Sequence, residues 1–184
     1  DIVLSLAGIV IGLPIAAAIA LAIWLDSGRP ILFKQERVGK DGEIFTIRKF
    51  RTMTVHDDGR EGDIEHEQQY ITRVGRFIRR SRLDELPQLW DVLRGKMSLV
   101  GPRPEMERFH EECLENIPWY RYRLSLRPGI TGWAQVNYRH TSTLEDYMRK
   151  TEYDLFYIKN RNLILDLQIV MKTAETVLGM RGAR

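Results

Sequence analysis

The hydrophobic and polar positions along this chain change period several times, and each change predicts an element. From Ile2 to Leu25, "IVLSLAGIVIGLPIAAAIALAIWL", there are 24 residues without a charge. About 20 apolar helical residues cross the hydrocarbon core of a bilayer, so this stretch is long enough to span one. A secretory signal is disfavoured, because the stretch exceeds the usual apolar core of such segments. Pro14 lies at its middle, where it cannot donate to the carbonyl of Val10 and its ring crowds the preceding turn, which predicts a kink. These residues leave two forms of the kink open. One is a bent spanning helix. The other is a pair of legs, Ile2 to Gly12 and Pro14 to Leu25, each roughly 16 to 18 Å long, that enter and leave one leaflet. Trp24 suits an interfacial anchor, and Arg29, Lys34 and Arg37 suit the cytoplasmic flank that follows it.

Period two appears next. In "EIFTIRKFRTM", Glu43 to Met53, one face carries Phe45, Ile47, Lys49 and Arg51 and the other Ile44, Thr46, Arg48 and Phe50, which predicts a strand with a basic end. Such an end is either solvated or part of a site. Thr54 to Glu67 is polar, glycine-containing and aperiodic, and reads as a loop. Helical spacing returns at Met106, Phe109, Cys113 and Ile117, stopped by Pro118; at Leu144, Met148, Thr151, Leu155 and Ile158; and at Leu167, Val170, Met171, Ala174, Val177 and Leu178. Each of these faces is expected to pack into the core. Trp119 to Tyr138 mixes aromatics, arginines and turn residues, and fits an interfacial surface, a nucleic-acid surface or an ordinary strand-and-turn region.

Composition narrows the picture only slightly. The 184 residues carry a net charge of +3, 43% hydrophobic and 29% charged, an ordinary globular balance with room for an anionic partner. One cysteine, Cys113, excludes an internal disulfide and fits a reducing compartment. His56, His66, His110 and His140 lack metal-ligand spacing and read as surface residues. A chain that starts at Asp1 and enters the apolar stretch at once is expected to be part of something longer.

The candidate chemistry lies in "RRSRLDELPQLWDVLRGKMSLVGPRP", residues 79–104. A helix starting at Ser81 would carry Pro87 in its interior at a cost of about 3 kcal/mol, whereas a start near Asp84 puts Pro87 in the first turn, where its missing N–H is no loss. The later start places Asp84 and Glu85 at a helix N-terminus, as a simple cap or as a site. Pro102 and Pro104 fix their own φ and restrict their predecessors, so Arg103 is presented on a stiff loop suited to bidentate phosphate recognition. With Arg79 as a second clamp, the carboxylates make a phosphoryl-transfer site, with Mg²⁺ expected and Glu85 as its hard oxygen ligand.

Taken in order, "DIVLSL" with the proline-broken apolar stretch, "QERVGKDGEIFTIRKFRTM", "RLDELPQLWDVLRGKMSLVGPRP", "RPGITGWAQVN" and "YDLFYIKNRNLILDLQIVMKT" resemble the bacterial sugar transferase family, the monotopic polyprenyl-phosphate phosphoglycosyl transferases. The resemblance implies an α+β, mostly helical membrane-associated domain with a short β segment, built as a re-entrant membrane hairpin at residues 1–28 and a catalytic domain at 29–184 of the cytoplasmic face of the bacterial inner membrane. It implies transfer of a sugar 1-phosphate from a UDP-sugar to polyprenyl (undecaprenyl) phosphate, with Asp84 as nucleophile, an aspartyl-phosphosugar intermediate, and UMP released in a first membrane step of exopolysaccharide or O-antigen type assembly. Glu85 then binds Mg²⁺, Lys49, Arg79 and Arg103 surround the phosphates, and Asp154 and Asp166 match acidic positions of less defined role. It also favours the re-entrant form of the bend at Pro14. Two positions depart from the family pattern: Leu13 stands where serine is frequent and Lys96 where an acid is. Membrane lipid is an expected partner and nucleic acid is not; homo-oligomerisation, the sugar and the glycan pathway stay open. The competing readings are a metal-dependent nuclease or phosphatase built on Asp84 and Glu85, and a non-catalytic anchored module whose arginines hold anionic lipid or nucleic acid.

Overall fold

The structure, a computed structural model, describes residues 1–54, 69–138 and 143–179. Helix α1, Ile2–Ser27, is a single 26-residue helix that contains Pro14, and it is long and apolar enough to cross a membrane. Strands β1, Leu32–Val38, and β2, Ile44–Phe50, form an antiparallel hairpin. Helix α2, Arg73–Arg80, leads into a 3₁₀ turn, Leu83–Glu85, and the short helix α3, Gln88–Leu93. Strand β3, Ser98–Val100, pairs in parallel with β4, Gly129–Thr131. Between them lie α4, Glu107–Asn116, and a 3₁₀ run, Tyr120–Ser125. Helices α5, Trp133–Asn137, α6, Leu144–Asn160, and α7, Leu163–Leu178, complete the described chain. Among the described residues the architecture is mostly helical with two short sheets, and the region Trp119 to Tyr138 is made of the 3₁₀ run, β4 and α5 rather than of strand and turn alone.

Alternation in β2 places Phe45, Ile47, Lys49 and Arg51 on one face, as read from the sequence, and the structure turns that face inward with Phe45, Ile47 and Arg51 buried. Phe45 and Ile47 meet Val92 and Met97 below the hairpin. On the other face Phe50 joins Ile19 and Ile23 of α1 and Ile78 of α2, with Leu83 and Leu86 packed at the edge. Most of α1 nevertheless stays outside this core: Val3 is 79% exposed, Ile11 72% and Leu25 71%, an apolar surface that water does not favour.

Both ends of α1 are tied to the same globular body. At the start, the Asp1 carboxylate accepts from Ser98 Oγ at 2.8 Å and from the Leu99 N–H at 3.2 Å. At the end, the Arg51 guanidinium donates to the carbonyls of Ser27, Gly28 and Arg29 at 2.6, 3.0 and 3.0 Å and to Ser27 Oγ at 2.7 Å. The last carbonyls of a helix have no partner within it, and a cation there also complements the dipole. Arg51→Met leaves these acceptors without their donor. The expected result is a loss of about 3 kcal/mol in stability, read by urea unfolding in detergent, with faster proteolysis near Gly28.

Two expectations are corrected. The face Leu167, Val170, Met171 and Ala174 does not pack inward: Leu167 and Met171 are 55% and 64% exposed, and α7 docks instead through Leu165 and Ile169 onto Val100 and Tyr157. The helix is apolar over more than one face, and helical spacing alone did not show which one the core takes. His110 is not a surface residue; it is buried with its ring against Tyr120, 5.4 Å between centroids. The sequence reading also missed β1, β3 and β4. The apolar face of α4 does pack as expected, with Cys113 and Ile117 buried beside Tyr120, Leu144 and Met148. The loop from residue 55 onward, with His56, His66 and His140 and the side chain of Leu178, lies outside the described residues.

Candidate active site

Asp84 and Glu85 do not open an α-helix, as the sequence reading expected. They sit on the 3₁₀ turn ahead of α3, and the cause is Pro87. Pro87 cannot donate to the Leu83 carbonyl, which takes the Leu86 N–H at 3.3 Å instead, and the i to i+3 pattern continues with Leu89 N–H to Leu86 O and Trp90 N–H to Pro87 O, each at 3.2 Å. Arg82 begins the turn in the left-handed region at φ 53°, a conformation that costs a non-glycine residue energy and is found where surrounding structure enforces it. The N–H of Glu85 is used inside the turn, on the Arg82 carbonyl. Side-chain cations, rather than helix-terminal N–H groups, therefore stabilise the carboxylates.

Those cations come from two distant segments. Lys49 Nζ, from the inner face of β2, donates to Glu85 Oε1 at 3.2 Å, and Arg103 Nη2, from the loop after β3, donates to the same oxygen at 3.1 Å. Arg82 Nη1 stands 4.0 Å from Oε2. Burial alone raises the pKa of a carboxyl, but here Arg103 and then Lys49 outweigh it and hold Glu85 down at about 2. Asp84 goes the other way: burial raises it, the adjacent Glu85 raises it further, and Lys49, Arg103 and Arg79 only partly compensate. Two neighbouring carboxyls are thus pushed apart, Glu85 firmly ionised and Asp84 the more basic. Because its folded pKa lies below its ordinary 4.5, Glu85 contributes stability at neutral pH that is lost as pH falls from about 4.5 to about 2. Glu85→Gln is expected to flatten the acid limb of a pH-stability profile by about 3 kcal/mol over that window.

The loop that carries Arg103 is fixed from beneath. A Cβ on Gly129 would come within 2.1 Å of Gly101 N, so only glycine allows the backbones of the two segments to approach this closely. The Gly101 N–H donates to Thr131 O and the Gly129 N–H to Pro102 O, each at 2.9 Å. Arg123, 4% exposed, donates Nη2 to the Arg103 carbonyl at 2.8 Å. Arg123 is itself held by Asp154, through Nε at 3.1 Å and Nη2 at 2.8 Å, and Glu105 joins the cluster by pairing with Lys150. Asp154 thereby reaches the site through Arg123 and the backbone of Arg103.

The remaining expected residues divide. Arg79 Nε donates to Thr52 Oγ1 at 2.9 Å at the exit of β2, within electrostatic range of Asp84. Asp166 accepts from Tyr157 OH at 2.7 Å, in the cluster that seats α7, and the structure does not bring it to Glu85. Lys96 makes a surface pair with Glu43. Sequence reasoning missed Arg123, for which spacing gave no signal. It also missed Arg37 and Gln88, which line a pocket with Lys49 and Arg103. Arg37 could have been found by pairing "LFKQERV" with β2, since the register sets Phe33 opposite Lys49 and Arg37 opposite Phe45, on one face.

Among the described residues no group of three or more His, Cys, Asp or Glu side chains converges as a metal cage. Magnesium on a diphosphate does not need one, being held by one or two carboxylates with the phosphates and water. Glu85 fits that role through Oε2, since Oε1 already accepts from Lys49 and Arg103.

The model of the family described as "Bacterial sugar transferase" matches residues 1–180. A UDP-N-acetylgalactosamine-undecaprenyl-phosphate N-acetylgalactosaminephosphotransferase of Aeromonas hydrophila is 43% identical over 100% of this chain and 44% of its own length. UDP-glucose:undecaprenyl-phosphate glucose-1-phosphate transferases of Xanthomonas campestris pv. campestris and Escherichia coli (strain K12) are 43% and 41% identical, over 92% and 94% of this chain and 36% and 38% of theirs. The chain therefore spans less than half the length of these relatives. The chain belongs to the bacterial sugar transferase family.

Proposed function

We propose that this domain transfers a sugar 1-phosphate from a UDP-sugar to polyprenyl phosphate at the cytoplasmic face of a bacterial inner membrane, as the first membrane step of exopolysaccharide or O-antigen type assembly. The observation that carries the reading is the pair of adjacent carboxyls with opposite electrostatics, wrapped in arginine and lysine and set on a turn whose Leu83 and Leu86 pack against the apolar α1. A water-soluble diphosphate and a lipid-borne phosphate can meet at such a place.

In the first step Asp84 attacks the sugar-bearing phosphorus; the new bond is carboxylate oxygen to phosphorus, the bond to the UMP phosphate oxygen breaks, and that oxygen leaves with the electron pair. In the second, a terminal oxygen of polyprenyl phosphate attacks the same phosphorus and Asp84 is released. Lys49, Arg79 and Arg103 offset the repulsion between anions that both steps involve. Mg²⁺ held by Glu85 and the donor phosphates would add charge neutralisation. The raised pKa of Asp84 makes its carboxylate the better nucleophile of the two, while Glu85 stays charged and pins Lys49 and Arg103.

The two ties of α1, at Asp1 and at Ser27 to Arg29, support a placement with both ends of the helix on one side of the bilayer, since both are fastened to one body. The test is radiolabelled UDP-sugar with undecaprenyl phosphate in detergent. The relatives' names divide between glucose and N-acetylgalactosamine, so both donors belong in the panel. UMP plus a lipid-linked product supports transfer; hydrolysis without lipid acceptor, or salt-sensitive binding with no turnover, would replace it.

A further inference from the structure

Beside the Lys49–Glu85–Arg103 cluster is a small pocket of about 10 Å³, lined by Arg37, Ile47, Lys49, Gln88, Arg103 and Pro104. That is room for one water-sized group. Donors dominate its polar lining: Arg37, Lys49, Arg103 and the Gln88 amide nitrogen, while the Pro104 carbonyl is taken by Arg37. Gln88 is 3% exposed, and its Nε2 has no hydrogen-bond partner, although buried polar groups are ordinarily paired. Three cations border the space. Glu85 Oε1 accepts one bond from Lys49 and one from Arg103, which leaves other N–H groups of both unused by it. Arg37 donates to Pro104 O and Gln35 Oε1, both neutral, and burial with Arg103 alongside brings its guanidinium down to about 10. Glu105, a further carboxylate close by, is engaged by Lys150 and Arg123. Such a pocket suits a single anionic oxygen.

We propose that this pocket seats a non-bridging oxygen of a phosphate monoester, and that the phosphate of UMP and the phosphate of the lipid acceptor occupy it in turn, with Gln88 and Arg37 as binding residues. The inference rests on the proposed two-step transfer. In-line displacement sets the entering and leaving oxygens on opposite sides of phosphorus. Asp84 enters in the first step and leaves in the second, so the departing UMP phosphate and the arriving lipid phosphate both lie across phosphorus from it. One seat serves both. Asp84 is not among the pocket's lining residues, but Lys49 and Arg103, which line it, are close enough to Asp84 to act on its charge, so nucleophile and seat share the same two cations.

The test uses the full chain in detergent, with Gln88→Leu, which keeps the volume and removes the donor, and Gln88→Glu, which puts an anion against the seat. Titration with UMP and with uridine is combined with steady-state transfer to undecaprenyl phosphate, and thermal melting checks each variant. Expected are a roughly tenfold weaker Kd for UMP in Gln88→Leu with uridine unchanged, a KM for undecaprenyl phosphate raised by a similar factor, and a larger loss of both in Gln88→Glu. Unchanged UMP affinity in a folded Gln88→Leu would mean the pocket holds water only and would overturn the proposal. Weaker UMP with an unmoved lipid KM would overturn the sharing. A wild-type protein that forms no UMP and no lipid product would instead sink the transfer reading itself, and the shared seat with it.

Discussion

Asp84→Asn is expected to abolish the covalent sugar-phosphate adduct and to lower transfer by roughly 10⁴-fold or more, because the amide is close in size to the carboxylate but cannot form the ester. Folding should survive this change. Burial and the adjacent Glu85 raise the pKa of Asp84 above its ordinary 3.8, so the folded state holds its proton more tightly than the unfolded chain, and ionisation at neutral pH opposes folding. Removing the charge should leave the melting temperature unchanged or higher. The same shift predicts that the rate of adduct formation in the wild type rises with pH through an apparent pKa above 3.8. An Asp84→Asn variant with near-normal transfer would eliminate the covalent route.

Arg123→Met is expected to be the most destabilising single change at the site, by about 3 to 5 kcal/mol, since it leaves Asp154 and Glu105 buried without their shared cation. Asp154→Ala should cost a similar amount by stranding Arg123. Asp154→Asn is the informative variant, because it keeps a carbonyl acceptor for Arg123 while removing the charge. If Asp154 acts as a positioning residue, Asp154→Asn should raise KM for the UDP-sugar more than it lowers kcat at temperatures where the protein is folded, because the Arg103 clamp is what loosens. Asp166→Asn should behave differently, costing about 1 kcal/mol through the Tyr157 hydrogen bond with little effect on transfer. Equal catalytic losses from Asp154→Asn and Asp166→Asn would contradict this division.

The two acids also show how far the sequence could be read. Asp154 and Asp166 resemble each other in their motifs, and only the tertiary arrangement separates one bound to Arg123 behind Arg103 from one bound to Tyr157 under α7. Local patterning worked where one period runs unbroken: the length of α1, the strand assignment of β2, and the Cys113 and Ile117 face of α4. It failed on α7, where two apolar faces compete for one core and the winner depends on Val100 and Tyr157 far away in sequence. Pro87 was rightly read as incompatible with a helix interior, but its effect on the Leu83 carbonyl, which turns the start into a 3₁₀ segment, was not anticipated. Lys49 and Arg103 were legible as basic residues on stiff elements; that they converge on one oxygen of Glu85 depends on a hairpin and a glycine-seated loop meeting across 54 positions of chain.

The central claim, that Asp84 carries the phosphosugar between donor and lipid, is tested most directly by intact-mass spectrometry of the detergent-purified protein after brief mixing with Mg²⁺ and UDP-glucose or UDP-N-acetylgalactosamine, without lipid acceptor. The account predicts an added sugar-phosphate mass on the wild type, absent from Asp84→Asn and discharged on addition of undecaprenyl phosphate. Lipid-linked product formed at full rate by Asp84→Asn, or an adduct that persists in that variant, would contradict it.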